Sequence, residues 1–260
     1  MAEGYKLGLV LSGGGARGIA HIGVLKALEE HHIFPDIIAG ASAGAIVGAF
    51  YAAGASPQEM LNIARASSFI AAFRPRRIPF GGLTDLQYLR NLMQKHIGHD
   101  SFDQLKKPLR IAATNLNKGS LELLSSGSLQ DAVVASSSIP MVFQPVTIEE
   151  QQFVDGGLLN NLPAQALRPH CDFLLGVNVM PIVEVKTKKG VNSMIEIATR
   201  SFELSVWNNT QLGAASCDLV IEPKALRKYH IFQLSAAELI FEVGYEATME
   251  QMPALLKALL

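Results

Sequence analysis

Two periodicities of apolar residues alternate along the first half of the chain. Residues 7–11 form a short apolar run of strand length, residues 18–32 place apolar side chains at helical spacing, and residues 36–39 form a second short run. That succession predicts a strand, a helix and a parallel strand. Residues 43–53 are small or apolar at every position, so the helix they predict has no polar face and belongs in the interior, and Gly54 is a residue type suited to ending it.

The pattern changes after Gly54. Ser56-Pro57-Gln58-Glu59 and Thr84-Asp85-Leu86-Gln87 each have the form of a capping box and predict two helix starts. Between them lies Arg74-Pro75-Arg76-Arg77-Ile78-Pro79-Phe80-Gly81-Gly82, which reads either as a lid or membrane-facing loop or as a solvated connection. Residues 55–107 read as a helical insertion. Strand patterns resume at 109–114 and 120–124, and a short helix is expected from 129. A hairpin over 146–154 should turn at Glu149-Glu150. The apolar run 173–179 suits a central parallel strand and 219–221 a shorter one, with helices over about 191–215 and 235–259. There is no internal repeat, and the 260 residues read as a single α/β domain, 1–260, large enough to bury its own core.

Composition narrows the partners. The 22 basic and 23 acidic side chains leave a formal charge of −1, which gives no basis for nucleic-acid binding, so any membrane contact would be local and peripheral. Cys171 and Cys217 are too few for a disulfide framework. Residues 1–6 lack the features of a secretory signal, and no apolar run approaches the roughly 18–20 residues of a membrane span. The expected location is therefore the cytoplasm or a membrane surface. Nothing in the pattern specifies an oligomeric state.

Chemistry enters at Gly40-Ala41-Ser42-Ala43-Gly44, a G-x-S-x-G pentapeptide between a predicted strand and a predicted small-residue helix, the context of a nucleophile elbow. Bulky neighbours would clash in so sharp a turn, and the helix start aims its positive end toward Ser42. A second cluster, Gly13-Gly14-Gly15-Ala16-Arg17-Gly18, follows the first strand. Its letters satisfy G-x-G-x-x-G, so one reading is a dinucleotide site on the helix terminus. That reading expects an acid at the end of the next strand, whereas Asp36 precedes it and Ser42 stands at its end. The other reading makes the loop's free amides an oxyanion hole for chemistry at Ser42. Arg17 would anchor this loop, meet an anionic substrate group or form a structural ion pair.

A serine nucleophile needs a base. Of the seven histidines, His21, His31, His32, His96 and His99 suit structural positions, leaving His170 and His230, neither in a glycine-bounded loop. Asp155, in Val154-Asp155-Gly156-Gly157, follows an apolar run and precedes two glycines that allow close backbone approach. It reads as a catalytic carboxylate or as a turn aspartate.

Together the three motifs, Gly13 to Gly18, Gly40 to Gly44 and Asp155-Gly156-Gly157, resemble those of the patatin-like phospholipase family, over roughly residues 5–180. The resemblance implies a three-layer α/β/α sandwich with a mainly parallel central sheet. It also implies a Ser42–Asp155 dyad without histidine, and an oxyanion hole in the loop Gly13, Gly14, Gly15, Ala16, Arg17, Gly18. The stretch Ala135-Ser136-Ser137-Ser138-Ile139-Pro140 with Phe143 resembles the family's segment before the aspartate, which makes Ser138, Pro140, Phe143, Gly156 and Gly157 the expected site lining. The implied activity is hydrolysis of phospholipid, lysophospholipid or acylglycerol esters through an acyl-serine, with acyl transfer or thioester cleavage as variants on the same serine. No cofactor or metal is implied, and no zinc or calcium motif is present.

Overall fold

A computed structural model describes residues 4–66, 86–182 and 190–259, with Ile195 and Thr199 described by backbone alone. The basic segment 74–82 and the Thr84-Asp85 part of the second capping box lie outside these residues. The first capping box forms: the Ser56 amide donates to Glu59 Oε2 (2.8 Å) and the Glu59 amide to Ser56 Oγ (3.3 Å).

The sheet contains β1 (Tyr5–Leu11), β2 (Ile37–Ala41), β3 (Leu109–Asn115), β4 (Ser120–Leu124), β5 (Val146–Ile148), β6 (Gln151–Asp155), β7 (Cys171–Val177) and β8 (Leu219–Ile221). Its order is β5-β6-β3-β2-β1-β7-β8, with β4 paired to β3. The pairs β3–β2, β2–β1, β1–β7 and β7–β8 are parallel, while β4, β5 and β6 make antiparallel pairs. The sheet is therefore mixed, with a parallel centre. The hairpin turn holds both Glu149 (φ 47°) and Glu150 (φ 64°) in the left-handed region, as a tight two-residue connection requires.

The helices are α1 (Ile19–Glu30), α2 (Ala43–Ala53), α3 (Pro57–Ala66), α4 (Gln87–His96), α5 (Leu129–Ser136), α6 (Met194–Ala214) and α7 (Ala237–Leu259). Alternate strand residues face opposite layers. Leu9, Leu11, Ile38, Ile111, Leu175 and Val177 belong to the main core, with α1 to α5 and α7. Val10, Ile37, Ala39 and Leu174 face Leu162, Ala164 and Leu167 and the end of α6. This is the expected three-layer α/β/α sandwich. Several boundaries differ from expectation: α1 starts only at Ile19, because Gly15–Gly18 form a 3-10 turn, β2 extends to Ala41, and the strand expected over 173–179 runs over Cys171–Val177. No helix among the described residues is long and apolar enough to cross a membrane.

Two features position the functional end of the sheet. One is β3: residues 109–112 pair with β2 along one edge, and residues 113–115 pair with β6 along that same edge, since β4 occupies the other edge over residues 111–115. Strands β2 and β6 thus approach each other end to end, with Ala41 opposite Ala112 and Asp155 opposite Ala113.

The other is the crossing of α1 and α7, which seats the carboxyl-terminal helix against the helix that follows the glycine loop. The crossing is close because neither contact point has a side chain: a Cβ on Gly23 would run into the Phe241 carbonyl oxygen, and one on Gly244 into the Ala20 carbonyl oxygen. Backbone on a second helix cannot yield as a flexible side chain can. Gly244→Ala is therefore expected to lower stability by about 1–3 kcal/mol, the range for overpacking, measured by urea unfolding.

Candidate active site

Ser42 stands between β2 and α2, in a backbone conformation (φ 51°, ψ −120°) that a non-glycine residue rarely adopts. Such a conformation costs on the order of 1–3 kcal/mol and persists only where its surroundings hold it. Here they do. A Cβ on Gly40 would lie 2.5 Å from the Gly44 carbonyl oxygen, and one on Gly44 would run into the Leu11 carbonyl oxygen. Both glycines of the pentapeptide are therefore required by the turn. The Ser42 amide donates to Ser136 Oγ (2.8 Å), and that hydroxyl donates to the Ala112 carbonyl (2.6 Å), so α5 ties the elbow to β3.

Asp155 arrives at the same point from β6. Its carboxyl is buried, accepts a hydrogen bond from the Gly157 amide (2.7 Å) and is hydrogen-bonded by the Ser42 side chain. The backbone is fixed too, the Asp155 amide donating to the Ser138 carbonyl (3.0 Å) and the Thr114 hydroxyl to the Asp155 carbonyl (3.0 Å). Gly156 leaves no room for a Cβ, which would run into the Ala112 carbonyl oxygen. Burial pushes the Asp155 carboxyl up to about 7, against the opposing hydrogen bonds from Ser42 and the Gly157 amide.

The glycine loop lies alongside, with a Cβ built on Gly13 falling 3.1 Å from Ser42 Cβ. Its amides are not equivalent. Those of Gly13, Ala16 and Arg17 are given to the carbonyls of Asn161 (3.2 Å), Ile231 (2.6 Å) and Gly14 (3.2 Å), while the amides of Gly14 and Gly15 keep no such partner among the described residues. Of the six residues expected to form an oxyanion hole, these two retain free donors before the 3-10 turn closes. Arg17 anchors the loop: its Nε donates to the Tyr229 carbonyl (2.9 Å), and one Nη rests on Met180 Sδ (3.8 Å). Burial lowers its pKa, and the negative charge of Glu203 opposes that shift.

Neither remaining histidine joins Ser42 and Asp155. His170 precedes β7 at the opposite end of the sheet, and exposed His230 packs its ring against Phe232. His21 is buried, bonds the Ser12 carbonyl through Nε2 (2.8 Å) and is held near 4 by desolvation. Asp36, the acid weighed for a ribose, also lies at that opposite end, where it accepts from the Leu7 amide (2.9 Å).

Ser42 opens into an apolar cavity of about 240 Å³ between α2, α3 and α4, walled by residues such as Ile22, Val47, Phe50, Met60, Leu89 and Phe143. Of the expected lining residues Phe143 is in this wall. Ser138 and Pro140 are not; the wall takes Ser137 and Ile139 instead, so alternate residues of the segment point inward. Ser138 is turned toward Val134 O (2.8 Å) and supports Asp155 through its carbonyl. Pro140 borders a separate depression with Leu116, Met141 and Phe202. Gly156 and Gly157 back the carboxylate and do not line the cavity. No group of His, Cys, Asp or Glu among the described residues is arranged to hold a metal.

The chain is similar to known proteins. A family model described as patatin-like phospholipase matches residues 9–168. An uncharacterised NTE family protein of Mycobacterium tuberculosis is 40% identical over 167 residues, covering 63% of this chain and 28% of that protein. The lysophospholipase NTE1 of Coccidioides immitis is 35% identical over 187 residues, 70% of this chain and 12% of that protein. The chain thus spans less than a third of the length of these relatives. Among solved structures, VipD from Legionella pneumophila superposes with a TM-score of 0.55 at 17% identity, over 96% of this chain and 67% of VipD. Human GIVD cytosolic phospholipase A2 in complex with methyl gamma-linolenyl fluorophosphonate gives 0.54 at 12% identity, over 98% of this chain and 59% of that one. These two share the fold.

The Asp155 environment predicts a stability signature. A carboxyl raised in the folded state from 3.8 to about 7 holds its proton there after the unfolded chain has lost it. Its contribution to stability is thus complete below the lower value and is lost as pH rises through the upper one. Asp155→Asn, which cannot ionise, should gain stability relative to the parent as pH rises from about 4 to about 7, by on the order of a few kcal/mol. Paired thermal melts across that range read the difference. A gap that does not vary with pH would show that Asp155 is not raised.

Proposed function

The chain belongs to the patatin-like phospholipase family, and from that premise we propose that it hydrolyses carboxylic esters of lipids through a Ser42–Asp155 dyad. The observation that carries this reading is the meeting of a strained serine and a buried, proton-avid carboxylate at the mouth of an apolar cavity.

Asp155 takes the Ser42 proton as Oγ attacks the ester carbonyl, and the amides of Gly14 and Gly15 receive the oxyanion. When the intermediate collapses, the ester C–O bond breaks and the alcohol leaves with the proton from Asp155. The acyl chain, held in the cavity, stays bonded to Ser42. Water, deprotonated by Asp155, then attacks the acyl-enzyme and releases the fatty acid. A carboxylate with an ordinary pKa would be a feeble acceptor for a serine proton; burial makes Asp155 a stronger one.

Residues 1–260 act in this reading as one acyl hydrolase domain, with 55–107 as the variable part beside the substrate entrance. Lipid substrate also implies contact with a lipid surface. Met141 and Leu116, 54% and 46% exposed, flank the depression that shares Phe143 with the cavity, and we place the peripheral contact there.

Two measurements follow. On a matched ester series with a phospholipid included, Ser42→Ala and Asp155→Asn should each lower turnover by roughly a thousandfold or more, and the parent's kcat/KM should climb with pH to a plateau above about 7, where Asp155 is ionised. Unchanged turnover in either variant would remove that residue from the mechanism. Met141→Asp should weaken cosedimentation with phosphatidylcholine vesicles several-fold while sparing hydrolysis of a monomeric ester. Equal vesicle binding by both proteins would move the contact elsewhere.

A further inference from the structure

The serines of the run after α5 are not equally employed. Ser136 bonds both the Ala112 carbonyl and the Ser42 amide, and Ser138 bonds the Val134 carbonyl. Ser137, between them, is only 7% exposed, and its Oγ has no hydrogen-bond partner among the described residues. Its backbone needs nothing from that hydroxyl, because its amide is already shared between the Val133 and Val134 carbonyls (3.1 Å each). The side chain lines the apolar cavity, where Ser42 and Tyr88 are the other polar side chains among the lining residues.

A buried hydroxyl without a partner costs roughly 1–3 kcal/mol relative to one that is satisfied. Alanine would close the same wall without that cost. The chain therefore carries an unpaired donor and acceptor one residue from the serine that holds the nucleophile's amide, at a position lining the same cavity as Ser42. An unbranched hydrocarbon chain has nothing to offer it.

We propose that Ser137 is a specificity-determining residue whose hydroxyl bonds a hydroxyl borne by the substrate within a few bonds of the scissile carbonyl. The inference rests on the Ser42 reading above and adds a substrate class: esters hydroxylated near the reacting carbon. That hydroxyl has two chemical sources, the acyl chain itself or the alcohol portion. Either supplies both halves of the missing hydrogen bonding, since a hydroxyl donates and accepts. Sites built to bond a substrate hydroxyl reject the analogue that lacks it, because the protein group is then left unpaired.

The test compares three esters of equal acyl length: a plain acyl ester of a plain alcohol, its 3-hydroxyacyl counterpart, and a monoacylglycerol with a free neighbouring hydroxyl. In the parent, one hydroxylated ester should exceed the plain one in kcat/KM, and which one identifies the source. In Ser137→Ala that ratio should fall about tenfold, mostly through KM. Ser137→Ala should also melt no lower than the parent, since a structural hydroxyl would be missed and an unpaired one is not. An unchanged ratio, an equal loss on all three esters, or a lowered melting temperature overturns the proposal. Should Ser137→Ala fail to accumulate, the isosteric Ser137→Cys, a weaker hydrogen-bonding group, replaces it with the same expected fall in ratio. If the parent cleaves none of the esters, the hydrolase reading is what has failed. Calorimetric binding of a fatty acid, its 3-hydroxy analogue and the monoacylglycerol to Ser42→Ala and to Ser42→Ala/Ser137→Ala then decides the inference. A hydroxyl preference present in the first and lost in the second upholds it, and equal preferences or none refute it.

Discussion

The candidate site depends on one piece of sheet geometry, the end-to-end meeting of β2 and β6 along a single edge of β3. A strand normally offers each edge to one neighbour. Here β2 stops pairing at Ala112 and β6 starts at Ala113, so two chain ends moving in opposite directions must both leave the sheet at the same place. One leaves through Ser42 into α2 and the other through Asp155 into a 3-10 turn. The proximity of Ser42 and Asp155 results from that junction. The Ala112 carbonyl is its fixed point: it accepts from Ser136 Oγ, and Gly156 must remain without a side chain to pass it. A shift of β6 by one residue would exchange which face Asp155 presents and leave a strained serine with no carboxylate.

The glycine loop is positioned differently, by chain that lies far away in sequence. The family match ends at residue 168, yet the loop is held by segments beyond it. The Ile231 carbonyl accepts from Ala16, the Tyr229 carbonyl from Arg17, and Ser12, one residue before the loop, accepts from the Val179 amide (2.9 Å). Gly15, in the left-handed region at φ 57°, also abuts the Ile231 carbonyl, where any Cβ would collide. Of the loop amides these segments take only that of Ala16; Gly13 gives its amide to Asn161 and Arg17 to Gly14, which leaves those of Gly14 and Gly15. The carboxyl-terminal part thus fixes the path of the loop, and it is itself held by the glycine-to-backbone crossing of α1 and α7.

What could be read from the sequence divides along the same line. The elbow was legible because its demands are local: a turn that admits no side chains on either flank requires glycine, and Gly40 and Gly44 announce it. Asp155 was legible only together with Ser42, since a turn aspartate before glycine has the same letters. The helices and most strands followed from periodicity, and the α2 boundaries agree residue for residue because an all-apolar helix ended by glycine has few alternatives. Ser136 gave no such signal. Its role needs Ala112 of β3 and Ser42 of the elbow, and one serine in a run of three has nothing to distinguish it. The Ile231 carbonyl was invisible for a plainer reason, in that a backbone acceptor leaves no mark on residue type. Inward and outward positions of the 137–140 segment were also assigned to the wrong alternate residues, because a short turn after a helix has no fixed period from which to read them.

Three unfavourable features coincide where the strands meet: a serine with positive φ, a buried carboxyl raised by desolvation, and a hydroxyl without a hydrogen-bond partner among the described residues. Elsewhere such features would be removed by substitution at a gain in stability. Their coincidence at one cavity supports the proposed reaction, in which the serine attacks, the carboxylate takes its proton and the free hydroxyl meets the substrate. In the proposed reaction the oxyanion of an ester would meet the free Gly14 and Gly15 amides, and its acyl chain would fill the cavity. Interactions unmet in the free protein and met as charge develops are those that lower a barrier, whereas interactions already satisfied cannot contribute. The large core on the α1, α2 and α7 side of the sheet offsets the local cost and keeps the strained geometry from relaxing. Stability here is held mostly in one layer, and chemistry is concentrated where that layer leaves polar groups unsatisfied.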